Sequence, residues 1–325
     1  MPKQFHMLYP FEVRYSMGVY TERMNYGLRL QGVPEQWKLS KGEGVTVAVI
    51  DTGFPRHDEF DGQILCAMNF TNSPIEDSVQ GHSTHVCGII AAKENNIGVV
   101  GGAPNAKLIV VKALNDSGSG TDESISNAIL FAIDQKADII NMSLGAANEV
   151  AGSFRNTQAA IELAASKGII CIAASGNESS SKVAVPACFP ECISVGAVDS
   201  EKERANFSNI GDDLDFVGVG VDIFSTYLNN SYATLSGTSM ATPIISAIAA
   251  LVLSEHRNRK GSCKTLINNV SDMREHLRKI SLDLGKFGVD EDYGWGLPIF
   301  SASSTNTLQN VSLFSRVKKW FFSLF

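Results

Sequence analysis

Three separated side chains could do chemistry together in this chain: a carboxylate, an imidazole and a hydroxyl. The hydroxyl is Ser239, in Gly237-Thr238-Ser239-Met240-Ala241-Thr242-Pro243, at the entrance of a long apolar helical run. A hydroxyl barely ionises at neutral pH, so it becomes a nucleophile only beside a base that a third group orients. The base is His82, in Gly81-His82-Ser83-Thr84-His85-Val86-Cys87-Gly88. The orienter is Asp51, which closes the run Val45-Thr46-Val47-Ala48-Val49-Ile50. In that arrangement Ser239 attacks a carbonyl carbon and His82 takes its proton, then returns it to the leaving amine. Asp51 meanwhile fixes the imidazole tautomer and steadies the imidazolium. Donors for the oxyanion are expected from Asn177, which follows Ala173-Ala174-Ser175-Gly176, and from the N–H of Ser239 at a helix start. Each residue alone has a bland explanation, since Ser, Asp or Asn beside Gly makes caps and turns. Their joint occurrence in the order Asp, His, Ser is what points to acyl transfer. His85 is expected to pack or to bond locally, with no catalytic role.

The elements that must hold these groups alternate between short apolar β-rich runs and helical patterns. Val45 to Ile50, Leu108 to Ala113, Asp138 to Ser143, Gly168 to Ala174 and Ile193 to Val198 read as buried strands. Ile125, Ala128, Ile129, Ala132 and Ile133 recur at helical spacing after an N-cap at Thr121 or Asp122, and a further helix is expected near Thr157 to Ser166. This alternation predicts an α/β fold with a mostly parallel sheet between helices on both faces. Sites in such sheets form beyond the carboxyl ends of strands, where Asp51, Ser143-Leu144-Gly145 and Ser175-Gly176-Asn177 fall.

The 325 residues carry a net charge of −7, with 44% hydrophobic and 19% charged side chains. A sizeable core is therefore available, and no basic face marks nucleic acid as a partner. No secretory signal is visible at the N-terminus, and no run is judged long and apolar enough to span a bilayer. The six cysteines are accordingly expected as reduced thiols in a cytoplasmic protein.

The blocks Val49-Ile50-Asp51-Thr52-Gly53, Gly81-His82-Ser83-Thr84-His85-Val86, Ala174-Ser175-Gly176-Asn177 and Gly237 to Pro243 resemble those of subtilisin-type serine proteases. The likeness runs over roughly residues 35 to 300 and includes Tyr293-Gly294-Trp295-Gly296-Leu297 as a closing motif. Within that family the chain is most similar to the intracellular subtilisins of bacilli, because Leu8-Tyr9-Pro10-Phe11 resembles an element of their N-terminal extension.

The resemblance implies a subtilisin-like three-layer fold and a polypeptide substrate. It divides the chain into an inhibitory extension (1–22), a peptidase domain (23–300) and a linker with an amphipathic tail (301–325). Ser119-Gly120-Thr121 and Ser143-Leu144-Gly145 are implied to sandwich substrate as an added strand. Ala184 would floor the pocket for the side chain before the cut, giving a broad or apolar preference. The extension is implied to lie across the cleft as an inhibitor. Calcium is implied at the loop 93–99, with the side chain of Asn95, the carbonyls of Lys93, Ile97 and Val99, and Asp58 or Glu59 as oxygen donors. Carbonyls of Ala187, Phe189 and Cys192 would form a second, weaker cation site, and Val185-Pro186 matches a cis bond. Ser83 departs from the family's glycine after the histidine. A catalytically impaired peptide-binding relative and a narrow-specificity maturation protease are the alternatives. The tail places Leu313, Val317, Trp320, Phe321 and Leu324 on one helical face, suited to a membrane surface, to docking on the body or to a homodimer.

Overall fold

The computed structural model describes residues 4–8, 13–16, 21–77, 79–258 and 267–301. The N-terminal segment supplies β1 (Phe5–Met7) and β2 (Val13–Ser16). The central sheet follows with β3 (Thr46–Asp51), β4 (Ile64–Asn69) and β5 (Lys107–Lys112). Two short strands, β6 (Ser119–Gly120) and β8 (Leu144–Gly145), flank β7 (Ile139–Met142) in sequence. Then come β9 (Ile170–Ala174), β10 (Cys192–Val198), β11 (Phe216–Val219) and the hairpin of β12 (Ile223–Tyr227) and β13 (Ser231–Leu235). The helices used below are α1 (His82–Ala91), α2 (Asp122–Asp134), α3 (Arg155–Ser166) and α4 (Thr238–Asn258).

Seven strands form one sheet in the order β11-β10-β9-β7-β3-β5-β4, parallel throughout. A parallel sheet covered on both faces leaves no solvent side, which is why Val47 to Ile50 and Ile170 to Ala174 are continuous apolar runs and fully buried. Helices α1 and α4 pack together, as do α2 and α3, forming the outer layers. Thr121 is the N-cap of α2: its hydroxyl accepts from the Ser124 N–H, and the Ser124 hydroxyl accepts from the Thr121 N–H.

Helix α4 is long and apolar enough to cross a bilayer, contrary to the sequence expectation. It is a core helix instead. From Thr238 to Glu255 every side chain is buried, because the sheet, α1 and neighbouring segments surround it. Val185-Pro186 is cis. None of the five described cysteines is paired; Cys263 and the 302–325 tail lie outside the described residues.

Two smaller sheets bring the N-terminal segment to the edge of the body. Strand β1 lies antiparallel between β8 and β6, with His6 opposite both Gly145 and Ser119. Strand β2 adds to the hairpin, pairing antiparallel with β13 from Val13 opposite Leu235 to Ser16 opposite Tyr232.

Candidate active site

Asp51 ends β3, His82 opens α1 and Ser239 sits in the first turn of α4, so one strand end and two helix starts converge. Asp51 Oδ1 accepts the Nδ1–H of His82 at 2.8 Å and the Thr52 N–H at 2.7 Å. Both side chains are buried, and the only buried ring nitrogen left without a hydrogen-bond partner on His82 is Nε2. A carboxylate on Nδ1 fixes the tautomer that leaves Nε2 able to take a proton.

The start of α4 explains the residues around Ser239. Pro243 has no N–H, so the Ser239 carbonyl loses its intrahelical donor. The Ser143 hydroxyl takes that place, donating to the Ser239 carbonyl at 3.0 Å and tying α4 to the end of β7. Asn177, beyond β9, accepts the Thr238 N–H at 2.9 Å and the Thr238 hydroxyl at 2.8 Å through Oδ1. That anchoring assigns the opposite, donating end of the amide to Nδ2. Gly237 lets it approach, since a Cβ there would lie 3.1 Å from Nδ2.

The Ser239 hydroxyl is not on the imidazole. It reaches the Ser143 carbonyl at 3.1 Å and the Leu8 carbonyl at 3.4 Å. Leu8 follows β1 directly, so a peptide carbonyl of the N-terminal segment stands against Ser239 in a chain laid as an added strand. Ser119, Gly120, Leu144 and Gly145 all pair with that strand, and the Met7 N–H donates to Gly118 at 2.7 Å. Thr121 contributes as the cap of α2 instead. Leu8, Gly145, Asn177, Glu178 and Ala184 line one cavity of about 730 Å³. A Cβ on Gly145 would meet Ala184 at 3.2 Å and Leu8 at 3.4 Å, so the glycine opens the space in which Leu8 meets Ala184. Upstream, Phe5 is fully buried against Phe154, ring centroids 4.2 Å apart. Tyr9, Pro10 and Phe11 lie outside the described residues.

Asp77 is a residue that the sequence reading passed over. Its buried carboxylate accepts the Thr52 hydroxyl, the Gly81 N–H, and both the N–H and the hydroxyl of Thr84. Burial pushes its carboxyl upward, and these donors oppose the shift. Asp77 thus clamps the start of α1 to the end of β3, on either side of the Asp51–His82 bond. An acid a few residues ahead of a helix start is the signal that could have found it. Ser83 does not disturb that bond: it is buried, and its N–H donates to the Thr52 hydroxyl at 3.1 Å.

Of the residues expected to hold calcium, Asn95 and Val99 donate hydrogen bonds to the side chain of Glu59. Glu59 Oε1 accepts the Val99 N–H at 3.2 Å and the Tyr232 hydroxyl at 3.0 Å; Oε2 accepts Asn95 Nδ2 at 2.8 Å. Asn95 Oδ1 accepts the Ile97 N–H, and Glu22 accepts the N–H groups of Asn95 and Asn96. Gly98, at φ +60°, leaves room, because a Cβ there would lie 2.0 Å from Glu59 Oε1. Asp58 turns to Asn230, and the Lys93 ammonium stands 4.0 Å from Asp61. In this arrangement Asn95 turns Nδ2 rather than Oδ1 toward Glu59, so the side-chain oxygens expected for calcium, which needs several oxygen lone pairs converging on one point, do not meet there. Of the carbonyls expected at the second site, that of Phe189 accepts the Cys192 N–H and that of Cys192 accepts from the Arg274 guanidinium.

A subtilase-family model matches residues 42–296. The chain belongs to the subtilase family. It is 40% identical over 237 residues to an intracellular serine protease of Paenibacillus polymyxa, covering 70% of this chain and 72% of that protein. It is 35% identical over 258 residues to thermitase of Thermoactinomyces vulgaris, covering 78% and 90%. The minor extracellular protease Epr of Bacillus subtilis (strain 168) is 37% identical over 278 residues, 85% of this chain, which spans only 41% of that relative.

Proposed function

We propose that the chain is a serine endopeptidase of the subtilisin type, made in a form that its own N-terminal segment blocks. Ser239 Oγ attacks the substrate carbonyl as its proton passes to Nε2 of His82, with Asp51 holding the imidazolium. Asn177 Nδ2 and the Ser239 N–H receive the oxyanion. Collapse expels the amine, protonated by His82, and leaves an acyl-enzyme that water hydrolyses by the same route. Substrate lies as an extended strand between Ser119-Gly120 and Leu144-Gly145, with an apolar side chain directed toward Ala184.

One observation carries this reading: a peptide carbonyl, that of Leu8, is presented to the hydroxyl of Ser239 within a strand laid between those two edges. It also supports the blocked state. Oγ donates toward the Leu8 oxygen, whereas attack requires the carbonyl carbon at Oγ and the oxygen toward Asn177. With the hydroxyl spent on two carbonyls, Nε2 of His82 has no proton to accept. Removing the segment releases the hydroxyl to turn to the imidazole. Unpaired cysteines among the described residues favour a place inside the cell, as the name of the Paenibacillus relative states for that protein.

Intact mass followed over time tests the proposal. Wild type is expected to lose an N-terminal fragment, and Ser239→Ala to keep its mass. Full peptidase activity at unchanged mass would remove the blocking role. Identical loss in both proteins would remove self-processing.

A further inference from the structure

The N-terminal segment touches the body on both sides of the nucleophile, and only the upstream side belongs to the strand sandwich already described. Downstream, Val13–Ser16 forms β2 against the outer edge of β13. Strand β13 ends at Leu235, and Ser236 and Gly237 lead straight to Thr238 and Ser239. The edge is therefore fixed relative to Ser239 by a short stretch of the same chain.

It is also held from behind. The Tyr232 hydroxyl bonds to Glu59, and the Ala233 carbonyl accepts His85 Nε2 at 3.1 Å. The inner side of β13 is paired to β12 along its whole length. Without β2, the outer side would present a row of unpaired N–H and C=O groups, which is a ready template for another strand.

We propose that this edge is a second binding site for polypeptide substrate, taking the stretch that begins five residues after the cut. The inference rests on the reading of Leu8 as the residue before the scissile bond. Counting from Leu8, Val13 to Ser16 are the fifth to eighth residues downstream. A substrate lying in the same path adds a strand to β13 there, bound through its main chain and so tolerant of sequence. One position carries a charge preference: Arg14, the sixth, stands 3.9 Å from Asp222, with both side chains about half exposed. The site thus selects for long, unfolded segments over short peptides, with a mild preference for a basic sixth residue.

A cut after Leu8 alone would leave Val13–Ser16 paired to the edge, so the test uses the chain freed of residues 1–20, and two fluorogenic peptides identical through the fourth residue after the cut. One ends there; the other continues for four more residues with arginine at the sixth. Lengthening is expected to raise kcat/KM about tenfold, and N-methylation of main-chain nitrogens in the added stretch to remove most of that gain. Glutamate at the sixth position is expected to cost about threefold in wild type and nothing in Asp222→Asn. Equal kcat/KM for the short and long peptides overturns the second site while leaving the peptidase reading intact. Failure to cleave either peptide counts against the peptidase reading itself.

Discussion

His82 and His85 stand about one turn apart on α1, both buried, and they are held in opposite ways. His82 gives Nδ1 to a carboxylate and leaves Nε2 without a partner. His85 gives Nε2 to two backbone carbonyls, Ile223 at 3.0 Å and Ala233 at 3.1 Å, and leaves Nδ1 without a partner. A neutral carbonyl cannot compensate an imidazolium in a dry site, so burial pushes His85 down to about 3. A carboxylate can. The same side chain on the same helix is in one case bonded to a carboxylate and in the other a staple for the β12–β13 hairpin through two carbonyls.

The largest effects should separate the two rings. His82→Ala is expected to lower kcat by about 10⁶-fold, a magnitude taken from subtilisin itself rather than from this chain. His85→Gln, which keeps a donor for the hairpin carbonyls, should leave kcat within about threefold. Comparable losses would erase the distinction. Asp51→Asn should cost about 10⁴-fold in kcat by favouring the wrong tautomer, with little change in KM. Asn177→Ala should cost about 10²–10³-fold, again a magnitude known from subtilisin. A change confined to KM would mean that Asn177 binds substrate without meeting the oxyanion.

A smaller effect concerns stability. The folded pKa of His85 lies below its unfolded value near 6.5, so the unfolded chain binds the extra proton between about pH 3 and 6.5. The neutral ring's contribution is intact above 6.5 and is lost as the pH falls through that window, by at most about 1.4 kcal/mol per pH unit. Denaturant melts of wild type and His85→Gln should show the variant with the flatter slope; parallel slopes would mean that His85 titrates normally. The smallest effect is expected at the other anchor of the hairpin, where Tyr232 bonds to Glu59. Since Glu59 is satisfied by donors, replacing chelator with millimolar calcium should move Tm by less than about 2 °C. A rise of several degrees would show that the loop rearranges into a cation site.

The sequence made the parallel sheet legible because strands buried on both faces are apolar throughout, as in Val47 to Ile50. It made the cap at Thr121 legible because that signal is local. The chemistry-bearing residues were legible because hydroxyl, imidazole and carboxylate each sit in a distinctive block at an element boundary. What escaped depends on partners remote in sequence. Nothing near Asp77 announces that it accepts from Thr52, and nothing near Val13 announces pairing with Leu235. The loop around Asn95 has the composition of an oxygen-rich cation site, yet Asn95 turns its amide N–H, and Val99 its backbone N–H, to Glu59. Helix α4 was legible as a long apolar helix, but the sequence reading placed it below the length and hydropathy of a bilayer span, which it meets; its burial on every side is what marks it as a core helix.

The central claim is that His82, held by Asp51, activates Ser239 once the N-terminal segment has left. Labelling with a fluorophosphonate probe, mapped by peptide mass, tests it most directly. The account predicts one adduct, on Ser239, in the self-processed protein, and its loss in both His82→Ala and Ser239→Ala. Processed wild type that takes no label, or His82→Ala that labels as fast as wild type, would contradict it.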